Sequence, residues 1–421
     1  MSDRQHSSDR LLVTSLTWLP MATLLYLVRF HIGPLPTTLL EIYIGAIIVL
    51  FTIVHGMSGW IVAWGRVRSW RAPIVAWLIV TLIAVFVAPD HIAALGLWRA
   101  YILEPVLVFI LLAAVIRSED EKRQLIRSLF LTVCLLAAWA AIQFVTGWGI
   151  PHPWNVSIAE GRRATGPFPF PNALSLFVVP IGALAFVNWC TKVRINTKIR
   201  NQDLEFWTWL FALACVLFAR SNGGLIALLI VSIFLGLLSL RTRKVTILIT
   251  SLGIMALILM PAARHKVWRV VTFQDWSGQV RLFQWRETRE MLKDHPIFGA
   301  GLGGYPRVFK PYHKATAIEI FQYPHNILLN FWSETGILGV IVFGWILVTW
   351  VWFCRGAVSA PGSKGGETPP LQWIIPLALL IHGLVDVPYF KNDLAIIFWI
   401  LVFLTSIKSS RLAVDDLSEH K

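Results

Sequence analysis

The chain has 421 residues, of which 56% are hydrophobic and only 14% are charged. Soluble domains carry about 25% charged residues, so this composition excludes an ordinary soluble protein and predicts an integral membrane protein. The formal net charge is +14, but the basic residues are scattered among short loops and form no basic domain, so we expect no nucleic-acid partner.

About twelve apolar segments, each near the roughly 20 residues that a bilayer core requires, predict an all-α, polytopic membrane protein. The segments are approximately residues 11–30, 38–55, 72–89, 98–116, 125–147, 171–189, 206–219, 222–240, 244–261, 326–354, 371–388 and 394–408. We expect the seventh and eighth to be short or broken around Arg220. The four cysteines lie in or at the ends of these segments without CxxC spacing, so we expect small buried side chains rather than disulfides or metal ligands.

The Lys and Arg content of alternate loops predicts the orientation, because cytoplasmic loops carry more of these residues. The basic set comprises the N-terminal tail, residues 66–71, 117–127, 192–200, 241–244 and 355–370, and the C-terminal tail. Both termini should therefore be cytoplasmic, with the loops 148–170 and 262–325 on the opposite side. We divide the chain into a bundle of about nine spans (1–261), an extracytoplasmic loop (262–325), and about three further spans with a cytoplasmic tail (326–421).

The loop 262–325 differs from the rest of the chain because it is polar and strongly basic. Its basic residues are Arg264, Lys266, Arg269, Arg281, Arg286, Arg289, Lys293, Arg307, Lys310 and Lys314. Positive charge in a long outer loop does not help to set the topology, so it needs another explanation. We expect this loop, together with Arg163 and Arg220, to hold an anionic lipid-linked substrate.

Three arginines have local contexts that suit an anion site. Arg220 follows an apolar run and precedes Ser-Asn-Gly-Gly, and Arg163 precedes a Gly- and Pro-rich turn in which Asn172 could cap the next helix. A helix predicted over 280–294 places Arg281 on one face and Arg286 on the neighbouring face. The alternatives are arginines that extend to lipid headgroups or to solvent, and a helix that rests on the membrane surface.

His325 and Asn326 stand at the start of the tenth segment, with Glu334 further along it and His295 at the end of the predicted loop helix. A histidine can accept a proton near neutral pH, although a hydrogen-bonded interfacial His325 is an equally good interpretation. Asp386 follows His382 at the last outward turn, where we favour a structural role in pairing with an arginine. No outer loop shows metal-ligand spacing, so we expect neither a metal nor another cofactor.

Six motifs together resemble the O-antigen ligase and polymerase superfamily. They are RATGPFPFPN (163–172), ARSNGG (219–224), VRLFQW (280–285), DHPIFGAGLGGY (294–305), YPHNILLNFWSETGILG (323–339) and HGLVDVPYF (382–390). The resemblance covers most of residues 160–390. The Ser-Arg-Gly pattern common in the family is altered here to Ala219-Arg220-Ser221.

The resemblance implies a GT-C-like, inverting and metal-independent glycosyltransferase with an extracytoplasmic active site in the bacterial inner membrane. Such a protein moves a glycan from undecaprenyl diphosphate to an acceptor hydroxyl, for example on lipid A-core. By motif, Arg163, Arg220 and Arg281 would hold the diphosphate, and His325 would activate or orient the acceptor. We include Arg286 with the diphosphate-binding residues, and Asn326, Glu334, Asp386 and His295 as supporting residues.

Other functions share parts of this pattern. A polymerase would pass the glycan to another lipid-linked repeat unit, and a third group of the superfamily uses protein hydroxyls as acceptors. A lipid-linked glycan transporter or flippase should place its charged residues in a central cavity with inverted symmetry. The predicted outward placement of the arginines and His325 favours an enzyme.

Overall fold

In the computed structural model, which describes residues 2–33, 35–194, 204–315, 317–356 and 371–407, helices dominate the chain. Two short antiparallel strands, β1 (Arg29–Ile32) and β2 (Leu35–Thr38), form the only sheet in these ranges. The helices are α1 (Ser2–Thr17), α2 (Leu19–Ala22), α3 (Leu39–Arg66), α4 (Arg71–Val87), α5 (His91–Trp98), α6 (Glu104–Val115), α7 (Glu119–Thr146), α8 (Pro171–Arg194), α9 (Leu204–Phe218), α10 (Asn222–Leu238), α11 (Leu240–Leu259), α12 (Pro261–Val271), α13 (Trp276–Asp294), α14 (Tyr305–Phe309), α15 (Ile327–Gly356), α16 (Ile374–Gly383) and α17 (Asn392–Ser406). Short 3-10 turns cover Thr23–Leu27, Arg68–Trp70, Lys310–Tyr312 and Leu371–Trp373, and a π-helical turn at Arg99–Leu103 joins α5 to α6.

The helices support an all-α polytopic membrane protein. Seven of the described segments are long and apolar enough to cross a membrane, and the bent pair formed by α1 and the residues after it brings the number to as many as eight. Four shorter apolar segments, Leu204–Phe218, Asn222–Leu238, Leu371–Gly383 and Asn392–Ser406, coincide with the other predicted spans. A helix of 15 residues is about 22 Å long. Because this is shorter than the roughly 30 Å hydrocarbon core, the total of twelve spans stays a prediction.

The centre of the bundle is formed by α8 and α17, whose residues are almost all buried. Both helices are apolar around their whole circumference, as expected for helices enclosed by others. Large aromatic side chains fill the spaces between them and their neighbours. The fully buried tryptophans are Trp70, Trp77, Trp350 and Trp399.

Local sequence explains where several elements begin, end and bend. Ser118 and Glu121 form a capping box at the start of α7, and Gly147 ends that helix in a left-handed conformation. Gly336 interrupts α15 with φ 71°. An added Cβ there would collide with the carbonyl group of Ile297, so the bend lets the 297–304 turn pack directly against α15.

The 262–325 loop is a folded unit and not an irregular connection. It contains α12, α13 and α14, and Met291, Leu292, Ala300, Tyr305 and Phe309 form a small core of its own. The helix predicted over 280–294 is observed as α13, which begins earlier, at Trp276. Glu287 secures the end of the loop because its carboxylate accepts hydrogen bonds from the backbone N–H groups of residues 314 and 315.

Several predicted cytoplasmic segments fall partly or wholly outside the described residues. They are most of the 192–200 loop, nearly all of the linker 355–370 and the C-terminal tail beyond residue 407.

Candidate functional site

A chain of hydrogen bonds connects Arg163 with His325 across three separate parts of the sequence. Arg163 Nη2 donates to Asn172 Oδ1 at 2.8 Å, and Asn172 Nδ2 donates to Asp386 Oδ2 at 3.0 Å. The other carboxylate oxygen of Asp386, Oδ1, lies 3.3 Å from Nδ1 of His325. The site therefore forms where the turn before α8, the start of α15 and the turn after α16 meet.

Arg163 is held in place by its backbone surroundings. Its Nε donates to the carbonyl oxygen of Ala219 at 2.8 Å, and its guanidinium lies 4.9 Å from the ring centroid of Trp154. Burial lowers the pKa of Arg163 to about 10, and the positive charges of Arg281 and Arg220 add to this effect. The three arginines therefore repel one another, and an anion bound among them would relieve that repulsion.

Arg281 connects the 262–325 loop to the turn after α16. Its Nε donates to the carbonyl oxygen of Val385 at 2.8 Å, and its Nη1 donates to the hydroxyl of Ser277 at 2.5 Å. Since Val385 precedes Asp386, this contact places α13 directly beside the carboxylate that contacts His325.

Arg220 is exposed and adopts an unusual backbone conformation with φ 48°. Its Nη2 donates to the carbonyl oxygen of Ile158 at 2.9 Å, which connects the end of α9 with the 148–170 loop. Gly223 and Gly224, which follow it, pack closely against Val385, His382 and Ser175, where a Cβ would not fit. These glycines allow α10 to approach α16 and α8, and so they serve helix packing rather than an open path to a ligand.

His325 is the second functional candidate with a left-handed backbone, at φ 46°. Non-glycine residues rarely adopt this conformation, which costs of order 1–3 kcal/mol and persists where the surroundings enforce it. The rings of Tyr323 and Phe321 lie 4.7 and 5.2 Å from the His325 ring in edge-to-face contact. Its conformation is therefore fixed by both packing and Asp386.

Asp386 is buried but stays a carboxylate. Burial would raise its pKa, but the hydrogen bond from His325 and the nearby positive charges hold the pKa of Asp386 well below its usual range. An ionised carboxylate only accepts hydrogen bonds, so Nδ1 of His325 must carry the proton in this contact. That tautomer leaves Nε2 of the neutral imidazole as a proton acceptor.

Residues 207–344 match the family model for O-antigen ligase. This region of the chain is therefore similar to O-antigen ligases. The match includes Arg220, Arg281 and His325, and it confirms the superfamily that the motifs indicated. A search of curated proteins finds no match to this chain.

Asn326 and Glu334 hold the helix that carries His325 within the matched region. The Nδ2 group of Asn326 donates to the carbonyl oxygen of Leu384 at 3.0 Å, and its Oδ1 accepts from the N–H of Leu329 at 3.0 Å. Glu334 is buried and accepts a hydrogen bond from the N–H of Gly303 in the glycine-rich turn. Both residues position elements around the site.

Arg286 and His295 lie apart from this cluster. Arg286 is exposed, with its guanidinium 5.9 Å from the ring centroid of Phe283. It stands five positions after Arg281, which turns it roughly 140° around the helix axis. His295 is exposed at the end of α13. The sequence grouped these residues with the site, but the described contacts do not join them to it.

Asn172 is the connecting residue that the sequence did not indicate. We expected it to cap α8, whereas its side chain bridges Arg163 and Asp386. Its position in the RATGPFPFPN motif was the available signal. Among the residues that the structure describes, no group of three His, Cys, Asp or Glu side chains is arranged to hold a metal ion.

Proposed function

We propose that the protein is a glycosyltransferase of the O-antigen ligase type, which moves a glycan from undecaprenyl diphosphate to an acceptor hydroxyl on lipid A-core or a similar acceptor. The match to the O-antigen ligase family model supports a membrane glycan transferase in general. The observation that carries the finer proposal is the position of Arg163 and Arg281 around the His325–Asp386 pair, with Arg220 close enough to Arg163 to lower its pKa.

In the proposed reaction, the acceptor oxygen attacks the anomeric carbon from the side opposite the diphosphate. The bond between that carbon and the diphosphate oxygen breaks, so the configuration at the carbon inverts. Nε2 of His325 takes the proton of the acceptor hydroxyl, and Asp386 stabilises the imidazolium that forms. The bonding electrons leave with the lipid diphosphate.

The arginines would act on the charge that develops on the leaving diphosphate. Guanidinium groups bind phosphate oxygens in a bidentate manner, and Arg163, Arg220 and Arg281 supply three of them. Positioned cations stabilise such charge most where water is scarce, and removing one donor typically costs on the order of 10²–10³ in rate. Three guanidinium groups can supply this charge stabilisation without a divalent cation, so we propose a metal-independent, GT-C-like enzyme.

The proposed site is extracytoplasmic, in a multi-pass protein of the bacterial inner membrane with both termini in the cytoplasm. The Lys and Arg distribution of the short loops supports this orientation. In this arrangement the 148–170 and 262–325 loops, which supply Arg163 and Arg281, face the side where the lipid-linked glycan would be presented.

A repeat-unit polymerase of the same superfamily is the second candidate, because it would use the same diphosphate site with a different acceptor. A lipid-linked glycan transporter is the candidate from another class. The contact between Asp386 and His325 favours an enzyme, since moving an intact lipid requires no group that accepts a proton from a hydroxyl.

The test is an assay with purified protein, fluorescent undecaprenyl-diphosphate glycan, a panel of acceptors and EDTA, in which wild type is compared with His325→Ala. We expect wild type alone to release undecaprenyl diphosphate and to form a coupled glycan product. A ladder of product sizes would indicate a polymerase, and one discrete addition would indicate a ligase. Movement of intact lipid across a liposome bilayer, without turnover on any acceptor, would refute the transferase.

A further inference from the structure

The helix α12 is poorly covered by the rest of the described protein. All 11 of its residues are described, and none of them is buried. It follows directly after α11, and the apolar part of α11 also contains no buried residue. Because α11 is long and apolar enough to cross the bilayer, its end at Leu259 lies at a membrane surface, and α12 begins there.

The side chains of α12 divide into two faces. Val267, Trp268 and Val271 lie on the same side of the helix, at spacings of one, three and four residues, and are 43%, 61% and 59% exposed. Lys266 and Arg269 occupy the opposite side and His265 lies between the two, whereas Arg264 stands on the apolar side, one turn before Val267 and Trp268 at the end of α12 nearest α11. An exposed apolar face with a basic opposite face is the pattern of a helix that lies in the membrane interface.

A tight turn transmits the position of α12 to the catalytic region. Phe273 has φ 56°, and an added Cβ at Gly278 would collide with the Phe273 backbone. The Phe273 ring also contacts Trp285 edge-to-face at 5.5 Å, and Trp285 Nε1 donates to the carbonyl oxygen of Pro324 at 2.8 Å. Pro324 precedes His325, and Arg281 lies on α13 between these contacts.

We propose that α12 lies in the membrane interface and binds anionic phospholipid headgroups, and that it thereby sets the height of α13 above the bilayer. Val267, Trp268 and Val271 would enter the acyl boundary, while the basic residues would contact headgroup phosphates. The second part rests on the proposed function, because the height of Arg281 matters only if its ligand is a lipid diphosphate at the membrane surface.

The first experiment measures the depth of α12 in the full-length protein and needs neither donor nor acceptor. A fluorescent noncanonical amino acid is introduced at residue 268, and at residue 266 on the opposite face as a matched control. The protein is reconstituted in nanodiscs of phosphatidylcholine, with or without phosphatidylglycerol. Quenching by nitroxide-labelled lipid is compared with quenching by a water-soluble reagent.

We expect lipid nitroxides to quench the label at 268, and the aqueous reagent to quench the label at 266. Phosphatidylglycerol should increase the lipid quenching at 268, and the double variant Lys266→Glu, Arg269→Glu should lose that increase. The control double variant Arg289→Glu, Lys293→Glu makes the same charge change on exposed positions of α13 and should keep it. Aqueous quenching at 268, or protection from both quenchers, would refute membrane contact. Lipid quenching at 268 that does not depend on phosphatidylglycerol would refute headgroup binding.

A second experiment separates this inference from the proposed function. In the transfer assay, the Lys266→Glu, Arg269→Glu variant should raise the KM for the lipid donor several-fold and leave kcat within about two-fold, since Arg281 itself is retained. An unchanged donor KM would refute the effect of α12 on Arg281. If wild type itself transfers no glycan, the proposed function fails, while the depth measurements decide the position of α12 on their own.

Discussion

Asp386 and His325 are 61 residues apart in sequence, yet Oδ1 of Asp386 lies 3.3 Å from Nδ1 of His325. The second oxygen of Asp386 accepts from Asn172, which in turn holds Arg163. One carboxylate therefore orients both the residue that would accept a proton and an arginine that would bind the diphosphate. Changes at Asp386 should affect both steps of the proposed reaction.

The variant Asp386→Asn should lower transfer by on the order of 10²–10⁴ in kcat. The neutral amide cannot stabilise an imidazolium, and it can select the wrong tautomer of His325, as happens when the carboxylate of a catalytic triad is replaced by an amide. The measurement is single-turnover transfer from the lipid donor. Asp120→Asn, on an exposed carboxylate that pairs with Arg123, is the control and should keep full activity. Equal activity in the two variants would exclude the proposed role of Asp386.

The pH dependence of stability follows from the same carboxylate. The pKa of Asp386 is lowered in the folded protein, so its ionised form contributes stability above the unfolded value of about 3.9. This contribution is lost only as the pH falls through the folded pKa. Wild type should therefore exceed Asp386→Asn in thermal stability at neutral pH, and the margin should shrink as the pH falls below about 4. A margin that persists unchanged well below pH 4 would contradict this assignment.

Arg281 and Arg286 offer a comparison within one helix. Arg281 contacts the turn that holds Asp386, whereas Arg286 is exposed and directed elsewhere. We expect Arg281→Ala to lower transfer by on the order of 10²–10³, and Arg286→Ala by less than about ten-fold. Membrane insertion and the elution profile in size-exclusion chromatography should be unchanged in both variants. Similar losses in the two variants would mean that the diphosphate binds along α13 and not at the Asp386 turn.

Arg162 and Arg163 are neighbours with different surroundings. Arg162 donates to the carbonyl oxygens of Val156, Phe144 and Val145, and so it fastens the 148–170 loop to the end of α7. Arg162→Ala should lower the thermal unfolding temperature and leave kcat of the folded fraction within a few-fold. Arg163→Ala should abolish transfer by removing a cation from the proposed diphosphate site. If Arg162→Ala instead abolished transfer and Arg163→Ala only lowered the unfolding temperature, the roles assigned to the two arginines would have to be exchanged.

The sequence predicted the helices well because a membrane-spanning helix needs a long apolar run, which hydropathy detects directly. It also predicted Arg163, Arg220, Arg281 and His325 as candidates from their motifs. It could not predict the bridge from Asn172 to Asp386, which joins residues 214 positions apart. That contact depends on how α8 packs against α16, and local patterns carry no information about such packing.

Arg286 shows a second limit of the sequence. Charge and proximity in sequence grouped it with Arg281, but a helix turns by about 100° per residue, and only the packed structure fixes which side faces the site. The left-handed backbone conformation of His325 could not be predicted from the sequence either. The residues next to it in sequence do not require that conformation, which depends on the packing of Asp386 and Tyr323 against its ring.

The backbone at His325 gives a final prediction, which separates its conformation from its chemistry. A side chain with φ 46° is strained, while glycine adopts this region freely. Both His325→Gly and His325→Ala should lose transfer because both lack the imidazole. The free energy of unfolding of His325→Gly should nevertheless exceed that of His325→Ala by roughly 1 kcal/mol, since alanine keeps the strain without the Asp386 contact. The measurement is denaturant unfolding in detergent micelles, with Ala315→Gly, in the same loop but away from the strained position, as the control for the general effect of glycine. A less stable glycine variant would mean that the left-handed conformation does not persist without the histidine.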